Sequence, residues 1–318
     1  MKALVTGGAG FIGSNLVNKL LLDGVNPIII DNLFTGNIKN IGNNISEVEF
    51  INGDIRDEIL VHKIISRVDL VFHMAASVGV KNILNAPTEG ISTNIYGSEI
   101  VLNGALKYGK RIVIASTSEI YGKNPTQPLS ENSDRVIGQP QKLRWTYSDS
   151  KAIEEAIATH LFETKNLQVS IVRLFNTVGP GQSDAYGMVL PRFIKSALSN
   201  KPIEVYGTGK QSRVFCHVQD VVDAITKISS MQSTVGEVYN IGGTEEITIE
   251  DLAIKVISQC NSTSKVRFIP YSDAYSKSFE ETFRRVPDIS KINSELGWSP
   301  KKSLEETIND VIVWCKLA

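Results

Sequence analysis

The chain has 318 residues, 42% of them hydrophobic, and its 33 basic and 34 acidic side chains leave a net charge of −1 and a pI near 6.5. That length allows one large or two interlocked domains around a sizeable core. The near-neutral balance, without long runs of like charge, gives no electrostatic case for nucleic acid or an anionic membrane surface.

The N-terminus reads as a strand and a glycine loop rather than a signal peptide, and no apolar run approaches the ~18 residues of a membrane span. Cys216, Cys260 and Cys315 are scattered and form no CxxC. They point to a reduced, cytoplasmic setting and to no metal site. Cys216 stands beside His217, but Val214, Phe215 and Val218 around them read as a buried strand, so packing is expected there.

Residues 2–6 form a short apolar strand, followed by Gly7, Gly10 and Gly13 in GxxGxxG spacing and an amphipathic helix over 14–22. Glycine there permits a tight turn, close backbone approach to a pyrophosphate and close helix–strand packing. Phe11 and Ile12 lie within the same loop, whose helix start supplies partial positive charge to phosphates. A second strand, 27–30, ends at Asp31, ~20 residues past the glycines, where a ribose-binding carboxylate is expected. Such a carboxylate accepts from a 2′-hydroxyl and repels a 2′-phosphate, which favours NAD over NADP.

A polar loop over 32–46 precedes a strand at 48–51 that leads to Gly53 and Asp54. Helical sequence at 58–66, a strand at 69–73, a long helical region at 93–108 and a strand at 111–115 come next; further on lie a helix around Tyr147 and a strand at 169–173. Such alternation predicts an α/β fold, a doubly wound parallel sheet with helices on both faces. Ligands then bind at the carboxyl ends of the strands. Gly7 to Gly13, Asp31, Asp54, His73 to Ser77, Ser116 to Glu119 and Asn176 all fall there.

The stretch 123–144, rich in Asn, Pro, Gln and Ser, reads as a loop beside the site, either a lid or plain surface. After Pro180 the rhythm weakens into helical segments near 188–199, 218–229, 248–259 and 302–315. The expected division is a dinucleotide-binding domain over 1–176, to which 212–243 returns, and a smaller, mostly helical substrate-binding lobe over 177–211 and 244–318.

Tyr147 and Lys151 are spaced i,i+4 and share one helix face. An ammonium near a phenol favours the phenolate and lowers a pKa otherwise near ~10. That phenol can take a hydroxyl proton while hydride leaves the same carbon.

The motifs Thr6 to Gly13, Asp31-Asn32, Gly53-Asp54, His73-Met-Ala75-Ala76, Ser116 to Gly122, Tyr147/Lys151 and Phe175 to Pro180 together resemble the extended short-chain dehydrogenases that act on nucleotide sugars. The resemblance continues through Arg213 to Asp220, Tyr239 to Gly242 and Arg285 to Asp288, and covers essentially the whole chain. It implies a Rossmann domain holding NAD, transient oxidation of a sugar carbon, usually C4, and return of the hydride within one cycle. By that resemblance Tyr147 is the base, Lys151 holds the nicotinamide ribose and lowers the tyrosine pKa, and Thr117 or Ser118 hydrogen-bonds the sugar oxygen. Asn94 orders the Tyr–Lys pair, Asp54 and Ile55 face the adenine, and Asn176, Arg213 and Arg285 hold the diphosphate. Pairing of two copies through the helices around 93–108 and 147–163 is also implied.

Glu119 is the discriminating position for the fate of the ketone. Many 4-epimerases of this family carry a small or apolar residue there, whereas dehydratases and UDP-glucuronate decarboxylases carry a carboxylate next to the serine or threonine. The dTDP-glucose dehydratases have an aspartate where this chain has Ser118, and Ala75 to Val80 is closer to the epimerases. The expectation is a UDP-hexose 4-epimerase, with UDP-glucuronate decarboxylase or 4,6-dehydratase as alternatives. A non-catalytic NAD(H)-sensing protein is a further one, but it would need neither Tyr147 nor Lys151.

Overall fold

The computed structural model describes residues 1–79, 87–184, 188–274 and 280–317. Val80, the last residue of the epimerase-like segment, lies outside them.

Runs such as Ala3-Leu4-Val5, Ile28-Ile29-Ile30 and Ile112-Val113-Ile114 are at most 3% exposed. Sequences apolar on both faces suit a parallel sheet covered by helices on either side. Such runs form strands β1 (Lys2–Thr6), β2 (Asn26–Asp31), β4 (Leu70–His73), β5 (Arg111–Thr117) and β6 (Val169–Leu174), and the more exposed β3 (Glu49–Asn52) lies between β2 and β4 in the chain. Shorter strands follow: β7 (Thr177–Val178), β8 (Ile203–Tyr206), β9 (Ser212–Val214), β10 (Cys216–His217), β11 (Val238–Ile241), β12 (Glu246–Thr248), β13 (Val266–Ile269) and β14 (Arg284–Arg285).

The main sheet has seven parallel strands in the order β11-β6-β5-β4-β1-β2-β3. The chain winds outward from β1 in one direction, then returns to β4 and winds in the other. The crevice where the order reverses, between β1 and β4, is where such sheets bind ligands. In register, Thr6 pairs with His73 there, so the loops after both strands meet.

Helices Phe11–Leu22 and Val218–Ser230 cover one face with Leu16, Val17, Val221, Val222 and Ile225. Helices Glu58–Ile65, Ser98–Lys107 and Trp145–Lys165 cover the other with Val61, Ile65, Val101, Leu102 and Ala158. Local chemistry sets their ends. Asp57 caps one by accepting from the Leu60 N–H at 3.0 Å, and left-handed Asn166 (φ 57°) stops another. Each fully buried Leu, Ile or Val contributes ~1.5–3 kcal/mol.

A separate cluster of Leu190, Phe193, Ile194, Leu252, Val256, Ile308 and Val311 joins helices Val189–Leu198, Ile249–Gln259 and Leu304–Leu317. This part is less purely helical than expected: β13 pairs with β8, and β12, β9 and β14 form a three-stranded sheet. Ile292, Leu296 and Trp298, sequence expected to belong to the lobe, pack instead into the cluster on the first face of the main sheet. The polar loop after β2 also differs from expectation, because 3-10 turns over Ile38–Glu47 dock buried Ile41 onto that cluster. Cys216 is buried in β10, and burial pushes its thiol up and away from reactivity.

Candidate active site

A cavity of about 550 Å³ opens at the carboxyl ends of the strands. At one end the glycine loop forms its floor. Gly7 has φ +68°, and a Cβ on it would lie 2.7 Å from the Ala75 Cα; a Cβ on Gly13 would lie 2.1 Å from the Gly7 carbonyl oxygen. Only glycine lets these backbones close up. Gly10 sits at the N-cap without a side-chain cap, so the first-turn N–H groups of Phe11, Ile12 and Gly13 face the cavity end of an uncapped helix.

Asp31, 8% exposed, accepts from the Ala9 N–H at 3.0 Å and the Leu33 N–H at 2.8 Å. Burial raises its pKa while those two backbone bonds hold it down. Two backbone donors leave carboxylate lone pairs free for ribose hydroxyls. The glycine cradle and this carboxylate fit NAD. Ala75, Ala76, Ile55 and Asn32 also line this cavity.

Asp54 does not line it, contrary to expectation. Its carboxylate is taken by Arg56 (2.9 and 2.7 Å) and by the Asn32 amide (3.1 Å), which hold its pKa at about 2. Arg56, two residues on, outcompetes any outward role. Gly53 and Ile55 supply the wall instead.

Tyr147, in the first turns of the Trp145–Lys165 helix, faces Thr117 and Ser118 at the end of β5. The Thr117 hydroxyl lies beside the phenol, where it favours the ionised form, and accepts from the Glu119 N–H at 3.2 Å. Asn94 accepts from the Ser77 N–H at 2.7 Å and donates to the Ser150 hydroxyl at 3.1 Å. It thereby ties the loop after β4 to the residue before Lys151, without itself lining the cavity.

Lys151 departs from expectation. Its ammonium donates to Glu154 Oε2 at 2.5 Å, both side chains being 1% exposed. The phenol of Tyr147 is pushed up rather than down, by burial first and then by the charges of Glu119 and Glu154. Lys151 is spent on Glu154, and burial together with the charges of Glu119 and Glu154 sets the phenol.

Glu119 stands between two guanidiniums. Arg144 Nη2 donates to both of its oxygens at 3.1 and 3.0 Å, and Arg285 Nη1 donates to Oε1. Burial alone would raise this carboxyl, but the charges of Arg144 and Arg285 overcome it and hold the pKa at about 2. Arg285 Nη2 also donates to Asn176 Oδ1 at 3.0 Å, and Asn176 in turn donates to the Val214 carbonyl at 2.8 Å. Arg213, 8% exposed, donates to Glu281 Oε1 at 2.7 Å, and burial lowers its pKa to about 10. Arg192 stacks 4.3 Å from the Tyr206 ring centroid. All four arginines line the same cavity, as do Thr177 Oγ1, Gln182 Oε1 and Arg285 Nε, buried atoms without a hydrogen-bond partner.

The structure thus brings Tyr147, Thr117, Ser118, Glu119, Asn176, Arg213 and Arg285 to one cavity. Arg144 and Arg192 were not singled out in the sequence. Arg144 had one signal: it precedes Tyr147 by three residues and so shares its helix face. The stretch 123–144 is stitched to the Arg285 segment, since the Leu129 N–H donates to the Val286 carbonyl at 2.8 Å and the Asp288 N–H to the Leu129 carbonyl at 2.7 Å.

Comparison with known proteins agrees with this geometry. The family model described as GDP-mannose 4,6 dehydratase matches residues 4–311. The chain is 38% identical to UDP-N-acetyl-alpha-D-glucosaminuronate decarboxylase of Bacillus cytotoxicus, covering 98% of this chain and 97% of that one. Its fold superposes on UDP-glucose 4-epimerase with UDP-glucose from Thermotoga maritima (TM-score 0.91, 28% identity, 100% and 99% covered). It does so also on dTDP-glucose 4,6-dehydratase of Bacillus anthracis in complex with NAD (TM-score 0.87, 28% identity, 100% and 97% covered). With the glycine cradle, Asp31 and the Tyr147 wall in place, this chain belongs to the NAD-dependent nucleotide-sugar epimerase/dehydratase enzymes of the extended short-chain dehydrogenases.

Proposed function

We propose that the chain decarboxylates a UDP-hexuronate, oxidising C4 of the sugar, releasing C6 as carbon dioxide, replacing it at C5 with a proton from water, and restoring the C4 hydroxyl in the same cycle. The observation that carries this reading is the ionised Glu119 held between Arg144 and Arg285 in a cavity lined by four arginines. A 4,6-dehydratase needs a carboxylate to remove the C5 proton, and one held at about 2 by two guanidiniums is a weak base. A 4-epimerase needs no charge at this position. A uronate carries one more negative charge than a neutral hexose; of the four carboxylates lining the cavity, Asp31 is tied to Ala9 and Leu33 and Glu89 to Arg56, which leaves the four arginines facing Glu119, Glu281 and the added charge of a uronate. The similarity to a glucosaminuronate decarboxylase supports the same choice over the epimerase expected from the sequence.

The Gly7–Gly13 loop and Asp31 would hold NAD, which when bound would supply the reversible hydride acceptor for C4. Tyr147 takes the C4 hydroxyl proton and later returns it, which requires the Lys151 ammonium, one helix turn away, to stabilise a phenolate that burial and the charges of Glu119 and Glu154 otherwise oppose; Thr117 hydrogen-bonds the same sugar oxygen. Because a C4 ketone is β to the C6 carboxylate, Thr117 and Tyr147 are placed to stabilise the charge that develops on the C4 oxygen as the C5–C6 bond breaks. Arg213, Arg285 and Asn176 hold the diphosphate and the carboxylate-bearing end. Incubation with UDP-glucuronate, UDP-N-acetylglucosaminuronate and UDP-glucose, read by mass spectrometry, tests this. Loss of carbon dioxide from a uronate is expected. A product of unchanged mass and altered retention from UDP-glucose, with both uronates untouched, would overturn it in favour of 4-epimerisation.

A further inference from the structure

Behind the Tyr147 wall lies a buried polar cluster that the catalytic assignment does not use. Glu154 follows Lys151 by three residues on the same helix face and is 1% exposed. One oxygen accepts from the Lys151 ammonium at 2.5 Å; the other lies 3.9 Å from His73 Nε2, beyond hydrogen-bond reach. His73, at the end of β4, is fully buried and bridges the Thr6 hydroxyl (2.7 Å) and the Ser98 hydroxyl (2.9 Å). Thr6 in turn accepts from the Ala75 N–H at 3.1 Å, next to the glycine loop.

The charges around Glu154 come from three elements. Lys151 and Glu155 lie on its own helix, His73 on β4, and the hydroxyl of Ser98 on the facing helix. Burial holds His73 neutral and pushes the Glu154 carboxyl up, and the Lys151 ammonium at 2.5 Å is the cation that opposes that rise among the described residues. Around the phenol stand Glu119, Glu154, Thr117 and Arg285. A carboxylate buried without a cation is strongly unfavourable, so the Glu154–Lys151 contact persists unless something better is offered to the ammonium.

We propose that Glu154 is a positioning residue that holds the Lys151 ammonium on the His73 side of the helix, so that Lys151 must exchange this carboxylate for the nicotinamide ribose when NAD binds. In consequence Glu154 weakens cofactor binding and, through its charge, opposes ionisation of Tyr147. The proposal rests on the roles given above to Tyr147 and Lys151.

The test is a double-mutant cycle on NAD⁺ affinity, measured by calorimetry on the full chain, with thermal unfolding as a check of folding. Glu154→Gln should bind NAD⁺ about five-fold or more tightly than the wild type, because the ammonium is no longer shared. In a Lys151→Met background the same change should alter affinity less than about two-fold. The acid limb of the turnover profile should move about one pH unit lower in Glu154→Gln, since an anion near the phenol is gone. A merely structural Glu154 would lower thermal stability but leave affinity and profile unmoved. Folded Glu154→Gln with unchanged or weaker NAD⁺ binding, or an equal effect in both backgrounds, would overturn the proposal. Should Glu154→Gln not fold, Glu154→Asp, which keeps the charge but shortens its reach, must show a smaller gain in affinity, and no gain refutes the idea. Tyr147→Phe separates the two assignments: retained turnover sinks the base assignment itself, whereas an inactive Tyr147→Phe beside an unaltered Glu154→Gln sinks only the role of Glu154.

Discussion

Glu119→Gln keeps the shape of the side chain and removes the charge that Arg144 and Arg285 share. In the folded chain this carboxyl titrates at about 2 instead of 4.5, a difference worth about 3 kcal/mol of stability at neutral pH. The sign follows from proton binding. Between pH 4.5 and 2 the unfolded chain holds the extra proton, so stability from this group is complete above about pH 5 and is lost as pH falls through 2. Wild type minus variant should therefore be about 3 kcal/mol at pH 7, shrink below pH 4.5 and approach zero near pH 2. Other acids titrate in both proteins and cancel in the difference. With an unfolding entropy of about 2.1 cal/mol/K per residue over 318 residues, the variant should melt about 4–5 °C lower at pH 7. Paired urea or thermal unfolding followed by circular dichroism across this pH range reads it directly. Equal stability at pH 7, or a difference that persists undiminished in acid, would refute the electrostatic account. Turnover on a uronate should also fall, because Arg144 and Arg285 lose the carboxylate that orients them, and unchanged turnover would refute that role.

Tyr147→Phe should lower turnover by ~10²–10⁴-fold while NAD⁺ still binds, measured by single-turnover kinetics and calorimetry. Gly13→Ala would place a methyl group 2.1 Å from the Gly7 carbonyl oxygen; NAD⁺ affinity should drop at least ~10-fold and stability by ~1–3 kcal/mol, and an unaltered affinity would show that the loop does not hold the pyrophosphate. Arg173→Met breaks a buried pair in which the guanidinium donates to Glu155 at 3.0 and 2.7 Å. It should cost ~3–5 kcal/mol in denaturant unfolding, since Glu155 is left charged beside Ser116.

Much of this protein is local, and the local part was legible without coordinates. Strand and helix order follows from apolar period, the glycine spacing specifies a turn that tolerates no Cβ, and Asp31 falls at a strand end because a strand of that length ends there. Tyr147 and Lys151 share a face through helix geometry alone. What the sequence could not determine is which side chain answers which. Glu119 meets Arg144 from 25 residues away and Arg285 from 166. Lys151 turns to Glu154, and Asp54 turns to Arg56 and Asn32 instead of the cavity. Periodicity places a residue on a face. The partner it finds there depends on distance and burial across elements far apart in the chain, and only the folded structure sets those.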